Sequence, residues 1–399
     1  ISDSSGTTTS ERDPFDLAQQ LLQPLLPFDN SATNHPFVGG LIGYFGYDLG
    51  RRLIAIENRA EVSTDLPDMR IGRYLWALII DHSARQCQLL FHRNCPEELR
   101  EKISQRFKNN SLPTSDKSLF TLTEKFKATL NQDQYQQSIR RIKDYIASGD
   151  CYQTNFAQHF SAAFTGDLWT AYKRLRENLP SPYSAFWHWP DQALLCVSPE
   201  RFVQSVDSAV ETKPIKGTAK RGATVAEDQQ RSQQLVNSSK DRAENLMIVD
   251  LLRNDLSKNC ESGSITVPKL FELESFANVH HLVSTVTGKL DKNATPLNLL
   301  RDCFPGGSIT GAPKKRAMEI IEELEPVRRS LYCGSIGYIS ANNRMDTNIA
   351  IRTVIADGDQ LHCWGGGGIV ADSKEDREYQ ESIDKIGALL SALETFIED

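Results

Sequence analysis

The sequence lacks any apolar run of the ~18 residues that a bilayer-spanning helix needs, which excludes a membrane-spanning helix. It also lacks a C-x-x-C pair. Its eight cysteines (Cys87, Cys95, Cys151, Cys196, Cys260, Cys303, Cys333 and Cys363) are scattered, which fits reduced cytosolic thiols better than disulfides or a zinc site. It has no surplus of positive charge. Lys and Arg number 45 against 52 Asp and Glu, a formal net charge of −7, so nucleic acid is not an expected partner. Residues 1–13 are polar and Ser/Thr-rich, without the basic start and apolar stretch of a signal peptide, so a cytoplasmic location is expected. The first residue is Ile rather than Met, and the chain is expected to begin within a longer protein. There is no internal repeat, no G-x-x-x-x-G-K-[ST] phosphate loop, and no regular alternation of strands with helices.

What is present is the balance of a globular protein, 39% hydrophobic and 24% charged over 399 residues, enough for a sizeable buried core. Residues 1–13 read as a disordered tail, 17–26 as a short helix, and 109–118 as a linker of turn formers. Asn131 and Gln134 predict a capping box. Tyr135, Ile139, Ile142 and Ile146 continue at helical spacing until Gly149 stops the helix. Strands are predicted at 37–49, 74–80, 88–91, 152–160, 183–188, 194–197, 202–206, 335–339, 349–355 and 360–364, with helices at 237–252 and 374–396. Strands in runs argue for an α+β fold with largely antiparallel sheets. The linker divides an N-terminal region, 1–118, from a catalytic domain, 119–399.

Four groups of residues could carry chemistry. Asp241 and Glu244 lie three apart on one helix, Glu378 and Glu381 three apart on the last; four carboxylates converging from two helices would suit magnesium. Asp241 and Glu244 share a face with Ile248, Leu251 and Leu252, where a carboxylate is costly unless paired. Glu378 and Glu381 lie about 100–130° from the stripe of Tyr379, Ile383, Ile386 and Leu390, which predicts surface positions. FPGGSITGAPK, from Phe304, sets a Gly-rich loop before a helix with Pro313 in its first turn; free amides and the helix dipole there would suit an anion. Four glycines, Gly365 to Gly368, follow a strand and would let backbone approach a ligand, and Arg352 among Ile and Val wants a carboxylate, of protein or ligand. Finally, Glu200 in SPERF could act as an acid or base, and Lys216 in PIKGT as a nucleophile if desolvated. Each of these charges would read equally as an ordinary surface group.

SPERF, PIKGT, DRAENLMIVDLLRND, HHLVST, FPGGSITGAPK, GSIGY, IAIRT and GGGGIVADS occur in order from Ser198 to Ser373, and GGLIGYFGYDLGRR precedes them. Together they resemble the chorismate-utilising enzymes. That resemblance implies two large, mostly antiparallel sheets packed as a sandwich with helices outside. It implies a magnesium ion at Asp241, Glu244, Glu378 and Glu381, with Asp241 standing where Glu is common. It matches Gly307, Ser308, Thr310, Tyr338, Arg352, Gly366 and Gly367 to carboxylate-binding positions, and His281 to one facing the ring. Gln153 stands where water-using isochorismate synthases carry a Lys base, so ammonia is the expected nucleophile. Lys216 resembles the aminodeoxychorismate synthases, whereas anthranilate synthases typically carry Ala there. The family's tryptophan-regulatory LLES-type motif is expected to precede this chain. The ammonia is expected from a separate glutamine amidotransferase subunit.

Overall fold

In a computed structural model of the chain, residues 2–3, 6–7, 10–26, 34–109, 119–276 and 279–397 are described. The expected linker, 109–118, lies outside them but for Asn109. Of the expected disordered tail, Ser2–Asp3 pairs with Gly6–Thr7, and Asp13 caps the first helix, Pro14–Leu22.

Two large antiparallel sheets form the body. The first runs Tyr183–His188, Gln192–Ser198, Thr353–Asp357, Gln360–Ile369, Gln153–Thr165 and Gly311–Ala312. The second runs Ile215–Lys220, Val279–Lys289, Ala209–Thr212, Arg201–Val206, Met345–Asn348, Ser335–Ser340, Gly40–Phe45 and Met69–Tyr74, with Thr266–Ser275 also on Val279–Lys289. Strands from both expected regions, 1–118 and 119–399, therefore share the second sheet.

The period-two alternation of strand side chains sorts the core. Ala157, Leu194, Cys196, Ile355 and Trp364 of the first sheet meet Leu41, Val203, Val286, Ile339 and Met345 of the second. Their neighbours Phe160, Leu195, Val354, Ala356 and Leu361 face outward, under the helices Leu168–Asn178 and Glu375–Glu394. Each fully buried Leu or Ile contributes about 1.5–3 kcal/mol, so this layering is the main source of stability. The helix Gln132–Ala147 starts at the expected Asn131–Gln134 capping box, and Tyr135, Ile139 and Ile142 are buried. No described helix is long and apolar enough to cross a membrane.

One strand expectation fails in an informative way. Residues 349–352 do not continue the strand Thr353–Asp357. Arg352 adopts a φ of 49°, a left-handed conformation that breaks a β-ladder. Ile349 and Ala350 instead donate their amides to the Glu200 and Gly334 carbonyls.

Candidate active site

Glu200 sits where the chain passes from the first sheet to the second, between Gln192–Ser198 and Arg201–Val206. The crossing is pinned locally. The Glu200 amide donates to Ser198 Oγ (3.2 Å), and Ser198 Oγ donates to the Ile349 carbonyl (2.6 Å). The Glu200 side chain is thereby carried inward and is only 7% exposed. Burial pushes its carboxyl up to about 7, against the opposing charge of Lys216 and hydrogen bonds from the Ile215 amide and Ser308.

Lys216 lies on the edge strand Ile215–Lys220, at an irregularity in its pairing with Val279–Lys289 between Ile215 and Thr218. Such a bulge re-aims a side chain. Gly217 takes a φ of 79° there, and a β-carbon on it would lie 3.1 Å from Asp241 Cβ, so the strand and the helix Ser239–Ser257 approach closely only because it is glycine. Lys216 Nζ donates to the Ser308 carbonyl at 3.2 Å, and Ser308 Oγ donates weakly to Glu200 Oε1 at 3.5 Å. Lysine and glutamate thus meet at one serine. Burial lowers the Lys216 ammonium from its usual range, with Glu200 opposing.

Ser308 belongs to a short turn, Gly307–Ile309, and here the helix-dipole expectation is corrected. The helix begins only at Lys314, and Gly311–Ala312 intervenes, paired with Thr154 and Gln153. The Thr310 amide and hydroxyl turn back to the Gly307 and Gly306 carbonyls (3.4 and 2.9 Å). The loop presents the Ser308 carbonyl to the cation of Lys216. Gly307 packs beneath Leu251, leaving no room for a side chain.

Around this centre lie groups with unspent valence. Gln153 is fully buried at the start of Gln153–Thr165, next to Gly368, and neither its Oε1 nor its Nε2 has a partner. A buried amide in that state carries the full cost of desolvation and favours any ligand that satisfies it. The His281 Nδ1 pairs with Thr218 Oγ1 at 2.9 Å; burial and then the Arg352 charge hold the ring down to about 4, hence neutral. The half-buried Arg352 guanidinium makes no ion pair among the described residues, and burial alone lowers it. An uncompensated buried cation of that shape is suited to a carboxylate. Tyr338, by contrast, is not brought to this cluster by any contact. Its ring packs edge-on against Phe37 at 5.8 Å, and its pairing partner is Asp346. Tyr332, which the sequence reading passed over, is the tyrosine stacked on Trp364 (6.1 Å), at the head of the glycine run. Tyr332 lies two residues before the GSIGY motif that drew attention to Tyr338, and no local signal marked it.

Three of the four acidic residues, Glu244, Glu378 and Glu381, are drawn to lysines between the two helices, while Asp241 packs against Gly217. Lys240 Nζ lies 3.8 Å from Glu244 Oε1 and 3.6 Å from Glu378 Oε1, so one lysine spans the two helices. Lys385 pairs with Glu381 at 2.7 Å. Glu378, expected at the surface, is 4% exposed. The reason is the glycine strand. A β-carbon on Gly365 would sit 2.6 Å from Ser382 O, and one on Gly367 3.1 Å from Lys385 Nζ and 3.4 Å from Glu381 Oε1. Backbone without side chains lets the last helix settle its acidic face onto the sheet. Burial raises Glu244, against Lys216 and Lys240, whereas at Glu381 burial is outweighed by Lys385, Lys240 and Lys216 together, which hold it low. Among the described residues no three Asp, Glu, His or Cys groups already close around one point. The donor set is nonetheless all hard oxygen, and ammonium groups now balance its charge, as a divalent cation would.

Known proteins share this architecture. Residues 2–391 match the family model described as chorismate binding enzyme. The chain is 47% identical over 396 residues to aminodeoxychorismate synthase component 1 of Escherichia coli, covering 99% of this chain and 85% of that one. It is 39% identical over 374 residues to the Bacillus subtilis protein of the same name, covering 91% and 79%. The crystal structure of anthranilate synthase component I from Streptococcus pneumoniae superposes with a TM-score of 0.86 at 33% identity, covering 96% of this chain and 86% of that one. The crossing at Glu200, the buried amide of Gln153 and the paired acidic helices are thus set in a shared fold: the chain belongs to the chorismate binding enzyme family.

Proposed function

We infer that the chain converts chorismate and ammonia to 4-amino-4-deoxychorismate. The observation that carries this reading is the meeting of Lys216 and Glu200 at Ser308, in a chain with 47% identity to a synthase component of that name. Lys216 Nζ, as a free amine, attacks ring carbon 2. The two ring double bonds each move one position, and the bond from carbon 4 to its hydroxyl breaks. Glu200, protonated at neutral pH or below, gives that hydroxyl its proton, and it leaves as water. Ammonia then attacks carbon 4, the double bonds return, and Lys216 is released. Glu200 takes up the proton that the new amine sheds. Arg352 and the orphan amide of Gln153 bind the substrate's polar groups, and neutral His281 lines the ring.

Asp241, Glu244, Glu378 and Glu381 would hold magnesium, which when bound neutralises and orients the substrate carboxylate. The name "component 1" of its relatives supports a second component, proposed as a glutamine amidotransferase that supplies ammonia. The product would feed para-aminobenzoate and folate synthesis, in the cytoplasm.

The test is incubation of the purified chain with chorismate, magnesium and ammonium, followed by mass analysis. A mass matching aminodeoxychorismate supports the reading. Fluorescent anthranilate would favour the second reading, which the 33% identity to an anthranilate synthase keeps in view. Turnover in excess chelator would remove the magnesium assignment. Glutamine-dependent product from the chain alone would remove the partner.

A further inference from the structure

Arg329 lies outside every motif that the chemistry uses, yet it is among the most completely buried large side chains of the molecule, at 1% exposure. Its guanidinium hydrogen bonds run in three directions. Nε and Nη2 grip the two oxygens of Glu325 at 2.9 and 2.6 Å. Nη2 also reaches the Asn155 carbonyl at 2.9 Å, and Nη1 reaches the Ile309 carbonyl at 2.9 Å. Glu325 in turn receives the Ala157 amide at 2.8 Å. The face of the group rests on the Tyr47 ring at 4.7 Å, and Tyr332, at 5.9 Å, continues to Trp364.

Two of these contacts are walls of the site. Asn155 lies two residues along the strand from Gln153. Ile309 directly follows Ser308, whose carbonyl receives Lys216 and whose hydroxyl faces Glu200. Consecutive peptide planes share one α-carbon, so fixing the Ile309 carbonyl restricts the direction of the Ser308 carbonyl. A lysine could keep the charge but not three directed hydrogen bonds in one plane.

We propose that Arg329 is a positioning residue for the amination: through the Ile309 carbonyl it sets where Ser308 holds Lys216 against Glu200, and through Asn155 it aligns the Gln153 end of the same pocket. This rests on the assignment of Lys216 and Glu200 made above. Misplacement of a reacting group by about 1 Å costs on the order of 100-fold in rate, the size of effect at stake.

The test compares Arg329→Lys with Glu325→Gln, which weakens the same buried pair but keeps the Arg329–Ile309 contact. Three quantities are read: kcat and KM for chorismate with ammonium, the thermal midpoint, and the pH dependence of Lys216 carbamoylation by cyanate, followed by peptide mass spectrometry without turnover. Arg329→Lys should lower kcat by roughly 10- to 100-fold with KM nearly unchanged, and move the cyanate midpoint toward that of an exposed lysine. Glu325→Gln should lower the thermal midpoint while leaving the cyanate profile as in wild type. A folded Arg329→Lys with wild-type kcat and cyanate profile would overturn the proposal. Equal shifts in both variants would do so too, because they would mark a general loosening. If Arg329→Lys does not fold, the Arg329→Gln/Glu325→Gln double variant, which leaves no unpaired charge, carries the same readings. Failure of both to fold would make the arginine purely structural. If Lys216→Ala kept wild-type turnover, the mechanism would fall, while the cyanate comparison would still decide the Arg329 contact.

Discussion

Two glutamate–base pairs flank the loop from Gly306 to Thr310, and they are built in opposite ways. Glu325 and Arg329 meet in a bidentate grip, and the surrounding carbonyls and the Ala157 amide take up what remains of their valence. Glu200 and Lys216 meet only through Ser308, by one weak contact each. Glu325, Arg329 and Glu200 are buried, and Lys216 is half-buried. Burial shifts the second toward its uncharged forms, with Glu200 at about 7 and Lys216 lowered. In the first, the fork of short hydrogen bonds holds Arg329 well above its usual value although burial opposes it, while burial pushes the Glu325 carboxyl up against the pull of Arg329. A saturated pair holds structure. An unsaturated one keeps a proton and a lone pair available for a substrate.

Substitutions can break that contrast, and the largest effect belongs to the unsaturated pair. Glu200→Gln should slow turnover by roughly 10²–10⁴-fold, since it removes a general acid. Its thermal midpoint should stay near wild type, and a variant as active as wild type would strip Glu200 of its role. Lys216→Ala should be comparably slow, and an adduct trapped from chorismate without ammonia should map to Lys216 by peptide mass spectrometry.

Removing the carboxylate of the saturated pair should act on folding instead. Glu325→Ala leaves a buried guanidinium uncompensated and should cost about 3–5 kcal/mol of stability in denaturant unfolding. A loss well under 1 kcal/mol would show that the pair is not the anchor described.

Titration sharpens the comparison next. The rate of adduct formation should follow a bell-shaped pH profile, because it needs Lys216 as the free amine and Glu200 as the acid, and burial favours both forms. Glu200→Gln should abolish the alkaline fall. The same raised carboxyl bears on stability with a definite sign. Its stabilising protonated form is fully populated below 4.5, its ordinary value, and that contribution is lost as pH rises through about 7. Unfolding midpoints from pH 4 to 8, wild type against Glu200→Gln, measure it.

The smallest effect should come from Ser308→Ala. Its hydroxyl is 3.5 Å from Glu200, and a hydrogen bond that long contributes at most about 1 kcal/mol, or roughly fivefold in rate. The carbonyl that receives Lys216 is backbone and survives the change. A loss above a hundredfold would mean that the hydroxyl, rather than the carbonyl, organises the pair.

By itself the sequence determined whatever depends on local pattern. The capping box of Asn131 and Gln134, the antiparallel strand runs, and the ordered motifs from Ser198 to Ser373 are short-range signals, and they sufficed for the fold class and for naming Lys216, Glu200 and the four acids as candidates. Tertiary structure decided what depends on neighbours distant in sequence. Glu378 looks exposed on a helical wheel and is buried because a run of glycines 10–13 residues earlier has no side chains to hold the helix away. Arg352 looks like a strand residue until the contacts of Ile349 with Glu200 and of Ala350 with Gly334 force the turn. The reach of Arg329 to Ile309 and Asn155 spans 20 and 174 positions of chain, a separation at which no periodicity or capping signal survives, because such contacts are chosen by packing of the whole and not by the chain's local conformation.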